Sequence, residues 1–215
     1  MTKENVFLDT NIIVAAIRYN KVDIFKMIDA IYATKFVHIE VLKEIRISSE
    51  KSFVQGKIDS GDWLLFNPED SSCLSDDDFD DYEFEVARIS KEFSAVDADK
   101  NCLNIGEIHS LAAAYINHSE LICSHDFSIT KVIQSLNLEI YKNGDDTQQP
   151  QLIGQHTLFE LCRIFMDEYG LKRSEARQFY SAFFVENRTS KNPAKKKKYQ
   201  KAMEFFDNTF AAKAI

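Results

Sequence analysis

The chain has 215 residues, 45% hydrophobic and 28% charged, with a formal net charge of −8. That make-up fits one large soluble domain, or a domain with an appendage. No apolar run approaches the length of a membrane span. Met1 to Asn5 shows no secretory pattern, so a cytoplasmic protein without a membrane partner is expected. The four cysteines, Cys73, Cys102, Cys123 and Cys162, form no Cys-x-x-Cys pair and read as reduced packing residues. The negative charge argues at first against nucleic acid, but it is unevenly spread. Residues 151–215 carry 12 Lys+Arg against 7 Asp+Glu, whereas residues 1–150 carry 14 against 27. An acidic body with a basic C-terminal part can mark a polyanion-binding element.

In chain order, Val6-Phe7-Leu8 is a short apolar run, as expected of a strand buried on both faces. Asp9-Thr10-Asn11 follows, and Ile12, Ile13, Ala16 and Ile17 then recur at helical spacing. Val22, Phe25, Ile28 and Ile31 predict a second helix, and Lys35 to Ile39 a second strand. Glu40 opens a helix through Ile45 with Glu44 inside it, a further helix spans Phe53 to Ile58, and Trp63 to Phe66 is a third strand. Pro68 to Asp81 is rich in acids and reads as a solvated loop. Helical character returns over Tyr82 to Phe93, and again from Asn104 through Tyr115. Leu121-Ile122-Cys123 is a fourth strand ending in Ser124-His125-Asp126, Ile129 to Leu136 a helix, and Leu138 to Tyr141 a fifth strand. Strands alternating with helices imply a parallel sheet covered on both faces.

Asn143 to Pro150 is a loop, and beyond it the pattern is helical throughout. The predicted organisation is therefore an α/β domain over 1–142, a linker over 143–153 and an all-helical subdomain over 154–215. Gly170 is the expected stop of the first C-terminal helix, and Asn192-Pro193 the start of the last. The stripe Phe179, Tyr180, Phe183, Phe184 reads as helix-on-helix core, with a partner groove as its alternative. Lys195, Lys196, Lys197, Lys198 and Lys201, with Arg188 nearby, read as a solvated face. Their alternative is a surface for a polyanion or an acidic protein partner.

Four acids carry the chemistry. Asp9 and Asp126 follow strands, Glu107 starts a helix, and Glu44 lies one turn into another. In a parallel sheet these positions share one rim, where ligands of open α/β sheets bind. Like charges packed together call for a cation. An all-oxygen donor set suits Mg²⁺ or Mn²⁺, which can activate water against a phosphodiester. Rival acids are Glu40, Asp97 and Asp99. His109 points to another side of its helix than Glu107 and is expected at the surface or hydrogen-bonded, and His125 is expected as a polar loop residue. No Gly-x-Gly-x-x-Gly or Gly-Lys-Ser/Thr loop is present.

Leu8-Asp9-Thr10-Asn11, Glu44 in Glu40 to Ile45, Gly106-Glu107, and Ser124-His125-Asp126 together resemble the motifs of the PIN-domain family, in order and spacing, across roughly residues 3 to 142. The resemblance implies a PIN-like fold and a metal-dependent endoribonuclease, as in VapC-like toxins of toxin–antitoxin pairs and RNA-processing nucleases. By it, Asp9, Glu44, Glu107 and Asp126 hold the metal, Asn11 supports the site and Ser124 steadies Asp9. The implied substrate is RNA, cut to leave 5′-phosphate and 3′-hydroxyl ends. An antitoxin protein and a second copy of the chain are the candidate protein partners. The rival reading is a catalytically inactive PIN-like module that binds RNA or protein. A phosphatase with an Asp nucleophile would want a second Asp at position 11, where Asn stands.

Overall fold

The computed structural model describes residues 3–96 and 104–211; Asp97, Asp99 and Cys102 lie outside them. The elements run β1 (Glu4–Leu8), α1 (Thr10–Arg18), α2 (Ile24–Ile31), β2 (Tyr32–His38), α3 (Ile39–Glu44), α4 (Ser48–Asp59) and β3 (Leu64–Phe66). Then come α5 (Asp76–Val96), α6 (Ile105–Ile116), β4 (Leu121–Cys123), α7 (Ser128–Leu136) and β5 (Glu139–Ile140). After a 3-10 turn at Lys142–Gly144, β6 (Gln151–Leu152) and β7 (Gly154–His156) precede α8 (Leu158–Tyr169), α9 (Arg173–Phe183), α10 (Val185–Thr189) and α11 (Pro193–Thr209).

The architecture is α/β. Five parallel strands lie in the order β3-β2-β1-β4-β7. Side chains alternate across a strand, and both faces of this sheet are apolar. Val6, Leu8, Leu121 and Cys123 enter one core with α1, α2, α8, α9 and α11. Phe7 and Ile122 enter the other, with Tyr82 and Ile89 of α5, Leu111 to Ala114 of α6, and Val132 and Ile133 of α7. The chain leaves β1 toward β2 on one side and returns to β4 on the other, so the crevice between β1 and β4 is the switch point of the topology.

Three sequence expectations are corrected. The fifth strand of the sheet is β7, which pairs with β4 from Leu121↔Gly154 to Cys123↔His156. It lies where the sequence pattern predicts a linker passing into helices. Its residues are Gly, Gln and His, each half-buried, because an edge strand has no apolar run to advertise itself. The expected fifth strand, β5, instead pairs antiparallel with β6 in a separate two-stranded ribbon. Finally, Asp76 to Asp81 is not loop but the start of α5, with Asp76, Asp77 and Asp78 in its first turn. There the acids complement the helix dipole, and Ser75 Oγ accepts from Asp78 N.

The helices after β7 are not set apart from the sheet. Leu158, Leu161, Phe165, Phe179 and Phe206 are buried in the same core as Val6, Leu8 and Ile12. Thr157 caps α8 through a capping box with Glu160, and Gly170 ends it at φ 67°, a left-handed conformation that favours glycine. Tyr180 and Phe184 are also buried, while Phe183 is only half-buried. The aromatic stripe is therefore mostly core, with Tyr180, Phe183 and Phe184 also lining a cavity. No helix among the described residues is long and apolar enough to cross a membrane.

Candidate metal centre

Asp9 leaves the end of β1 in extended conformation (φ −92°, ψ 156°) and caps α1. Its carboxylate is 1% exposed and is held from three sides. Oδ1 accepts from Thr10 N at 2.7 Å, and Oδ2 accepts from Ser124 Oγ at 2.7 Å and from Asn11 Nδ2. Asn11 also reaches across the switch point, where its Oδ1 accepts from His125 N at 3.0 Å. Asn11 and Ser124 thus tie the ends of β1 and β4 together around Asp9.

Glu44 is the last residue of α3, and its carboxylate bridges two helix starts. Oε2 accepts from Thr10 Oγ1 at 2.8 Å, and Oε1 from Gly106 N at 2.8 Å. Asn104 makes no side-chain cap of α6; Glu44 satisfies a free N–H of that helix in its place. The approach needs glycine, since a Cβ at position 106 would lie 2.8 Å from Glu44 Oε2. Glu107 follows on α6, half-buried. The carboxylates of Asp9, Glu44 and Glu107 each offer an oxygen within 4.8 Å of the others, a group that could hold a metal ion.

The donor set fits a hard cation. Burial, then the negative charges of Glu107 and Glu44, holds the Asp9 carboxyl well above the ordinary carboxylate range, against the hydrogen bonds from Ser124 and Thr10. A divalent ion would reverse that balance by neutralising the shared charge.

Asp126, the fourth expected ligand, stands outside this group of three. It lies in the loop just before α7, its Oδ1 accepting from Ser128 N at 2.8 Å, and it lines an adjoining cavity with Glu107 and Asn11. Glu40, the rival acid, pairs with Lys43 at 2.6 Å, away from Glu44. His109 is hydrogen-bonded, its Nδ1 lying 2.5 Å from the Tyr82 hydroxyl. His125 lies in the loop after β4, as expected, but is buried. It is 8% exposed, with the Phe183 ring at 4.8 Å and the Phe127 ring at 5.2 Å, and burial lowers its pKa to about 4.

Two contributors are not among the expected site residues. Thr10 orients Glu44. Gln155 of β7 holds the loop after β4, its Nε2 donating to the carbonyls of Ser124 at 2.8 Å and Asp126 at 2.7 Å. Its Oε1 accepts from Thr130 N at 3.1 Å. No pattern marks Gln155 unless its stretch is recognised as strand.

The carboxylates open into two cavities. One, of about 620 Å³, is lined by Glu44, Glu107, Arg18 and Lys198. The other, of about 740 Å³, is lined by Glu107, Asp126, Phe127 and Phe205. Lys198 of α11 borders both, and Lys201 the second, whereas Lys195, Lys196, Lys197 and Arg188 border neither. No known family model matches the chain, and no curated protein matches it.

Proposed function

We propose that the chain is a metal-dependent endoribonuclease that hydrolyses RNA phosphodiester bonds. The observation that carries this reading is the convergence of Asp9, Glu44 and Glu107 at the carboxyl edge of a parallel sheet, beside the switch point, with Asp9 pushed toward protonation by its burial and its acidic neighbours. The ordered resemblance of these motifs to PIN domains supports RNA as the substrate. An all-carboxylate site favours Mg²⁺ or Mn²⁺ over softer ions.

Asp9, Glu44 and Glu107 would hold the ion. When bound, it supplies an acidified water and offsets the charge that builds on the phosphate. The chain's own residues do the rest. Ser124, Asn11 and the Thr10 amide fix both Asp9 oxygens, so the carboxylate needs no reorganisation. Thr10 Oγ1 and the Gly106 amide do the same for Glu44. Asp126, at the wall of the second cavity, would orient the attacking water or the scissile strand from outside the inner three ligands.

The test is cleavage of end-labelled RNA in Mn²⁺, in EDTA, and by Asp9→Asn in Mn²⁺. Cleavage should appear in the first arm alone, with 5′-phosphate products. An intact RNA in Mn²⁺ that the wild type still binds would favour an inactive RNA-binding module instead.

A further inference from the structure

The second cavity has a composition that metal chemistry alone does not require. Its wall is formed by the loop after β4, by α9 and by α11, and it joins the carboxylates through Asn11 and Glu107. Two of its rings are displayed to solvent at a cost in apolar exposure, Phe127 at 60% and Phe205 at 53%. Behind them, His125 meets Phe127, Tyr180, Phe183 and Phe184 edge-on. The buried Nδ1 of His125 has no hydrogen-bond partner among the described residues, so the wall holds an unsatisfied polar group.

Cations complete the cavity. Lys198, Lys201 and Phe205 recur on one face of α11 at helical spacing, and Lys131 comes from α7. Lys198 and Lys201 form no ion pair among the described residues, and all three lysines are exposed. Exposed rings interleaved with cations, beside a site that handles phosphate, match an unpaired nucleotide. The flat base takes the aromatic surface and the backbone takes the lysines. A protein groove would not call for that alternation of ring and cation next to a carboxylate cluster.

We propose that this cavity is a nucleobase subsite. One unpaired base of a single-stranded RNA stacks on Phe127 and Phe205, and its backbone runs past Lys198 and Asn11 to the carboxylates. The RNA identity rests on the endoribonuclease reading; the stacking does not. The subsite selects single strands, because a duplex keeps its bases inside the stack.

The experiment uses a short single-stranded RNA carrying one 2-aminopurine, whose fluorescence is quenched on stacking, titrated with the full chain in EDTA so that no strand is cut. The wild type should quench it, and the same RNA annealed to its complement should not compete. Phe127→Ala with Phe205→Ala should weaken binding about tenfold or more, whereas Phe205→Trp should restore quenching to the Phe127→Ala protein. Both rings are more than half exposed, and unchanged melting curves check that the fold survives. Equal affinity of the wild type and the double-alanine protein, or no quenching by wild type, overturns the subsite. Cleavage in Mn²⁺ of the same RNA is scored separately. Cleavage without quenching leaves the nuclease and removes the subsite, and quenching without cleavage does the reverse.

Discussion

Three carboxylates share one small volume, and the residues around them decide what each substitution does. Asp9→Asn, Glu44→Gln and Glu107→Gln should each abolish most of the Mn²⁺-induced rise in melting temperature, since that rise measures binding to the native state. Asp126→Asn should keep most of it while losing cleavage; equal loss of the shift in all four would place Asp126 among the inner ligands. Gly106→Ala is the sharper probe. The added Cβ meets only the end of the flexible Glu44 side chain, so the metal-free melting temperature should stay near wild type while Mn²⁺ binding falls. The raised Asp9 pKa also has a sign. The metal-free fold binds the Asp9 proton more tightly than the unfolded chain does. Its contribution is therefore fully present below the ordinary carboxylate pKa and is lost as pH rises through the raised value. Denaturant titrations of metal-free wild type and Asp9→Asn should show the wild type losing stability relative to the variant across that interval. Parallel pH curves would mean that the Asp9 pKa is not raised.

Two of the carboxylate-bearing helices are locked together by a buried polar chain. His38, the last residue of β2, is fully buried, and its Nδ1 accepts from Glu40 N at 3.1 Å. Its Nε2 therefore carries the proton and donates to the Tyr82 hydroxyl at 3.0 Å, which in turn donates to His109 Nδ1 at 2.5 Å. The chain links the start of α3, which carries Glu44, through α5 to α6, which carries Glu107. Tyr82→Phe strands a buried N–H and should cost roughly 1–3 kcal/mol in urea unfolding. Because it also removes one of the ties between α3 and α6, leaving the Glu44–Gly106 hydrogen bond, Mn²⁺ affinity should fall with it; an unchanged affinity would confine the network to stability. Burial holds His38 at about 3, so its share of stability is lost as pH falls from about 6.5 toward that value. Elements of this kind are unevenly legible in the sequence. Val6-Phe7-Leu8 and Leu121-Ile122-Cys123 announce themselves because strands buried on both faces must be apolar. Asp9 and Asp126 follow from where those strands end, and Glu44 and Glu107 from the helices that start on the same rim. The strand Gly154-Gln155-His156 stays hidden because an edge strand is half-solvated, and with it goes Gln155. The Tyr82 network stays hidden because its partners are 44 and 27 residues apart, a distance that no periodicity spans.

At the scale of the whole molecule, the problem is charge. A protein of net charge −8 with an acidic rim repels a polyanion, so on the proposed nuclease reading its positive charge has to be placed where it counts. The C-terminal helices do this by sharing a core with the sheet: Phe179, Met203 and Phe206 are buried with Leu8 and Ile12, which fixes α11 beside the carboxylates. Of the lysine run, the turn of the helix leaves only Lys198 on both cavities, with Lys201 one turn on. Two pairs of lysine-to-glutamine substitutions separate placement from bulk charge. Lys198→Gln with Lys201→Gln should flatten the log–log salt dependence of single-stranded RNA binding by about 0.7 for each phosphate no longer neutralised. Lys195→Gln with Lys196→Gln removes the same formal charge from positions that border neither cavity, and should change the slope far less. Turnover at saturating RNA should be nearly unchanged in both, because the carboxylates are untouched. Affinities measured at several salt concentrations decide between the two: identical slopes for the two pairs would show that α11 attracts RNA only through its overall charge, and slopes unchanged from wild type in both would remove α11 from the RNA path.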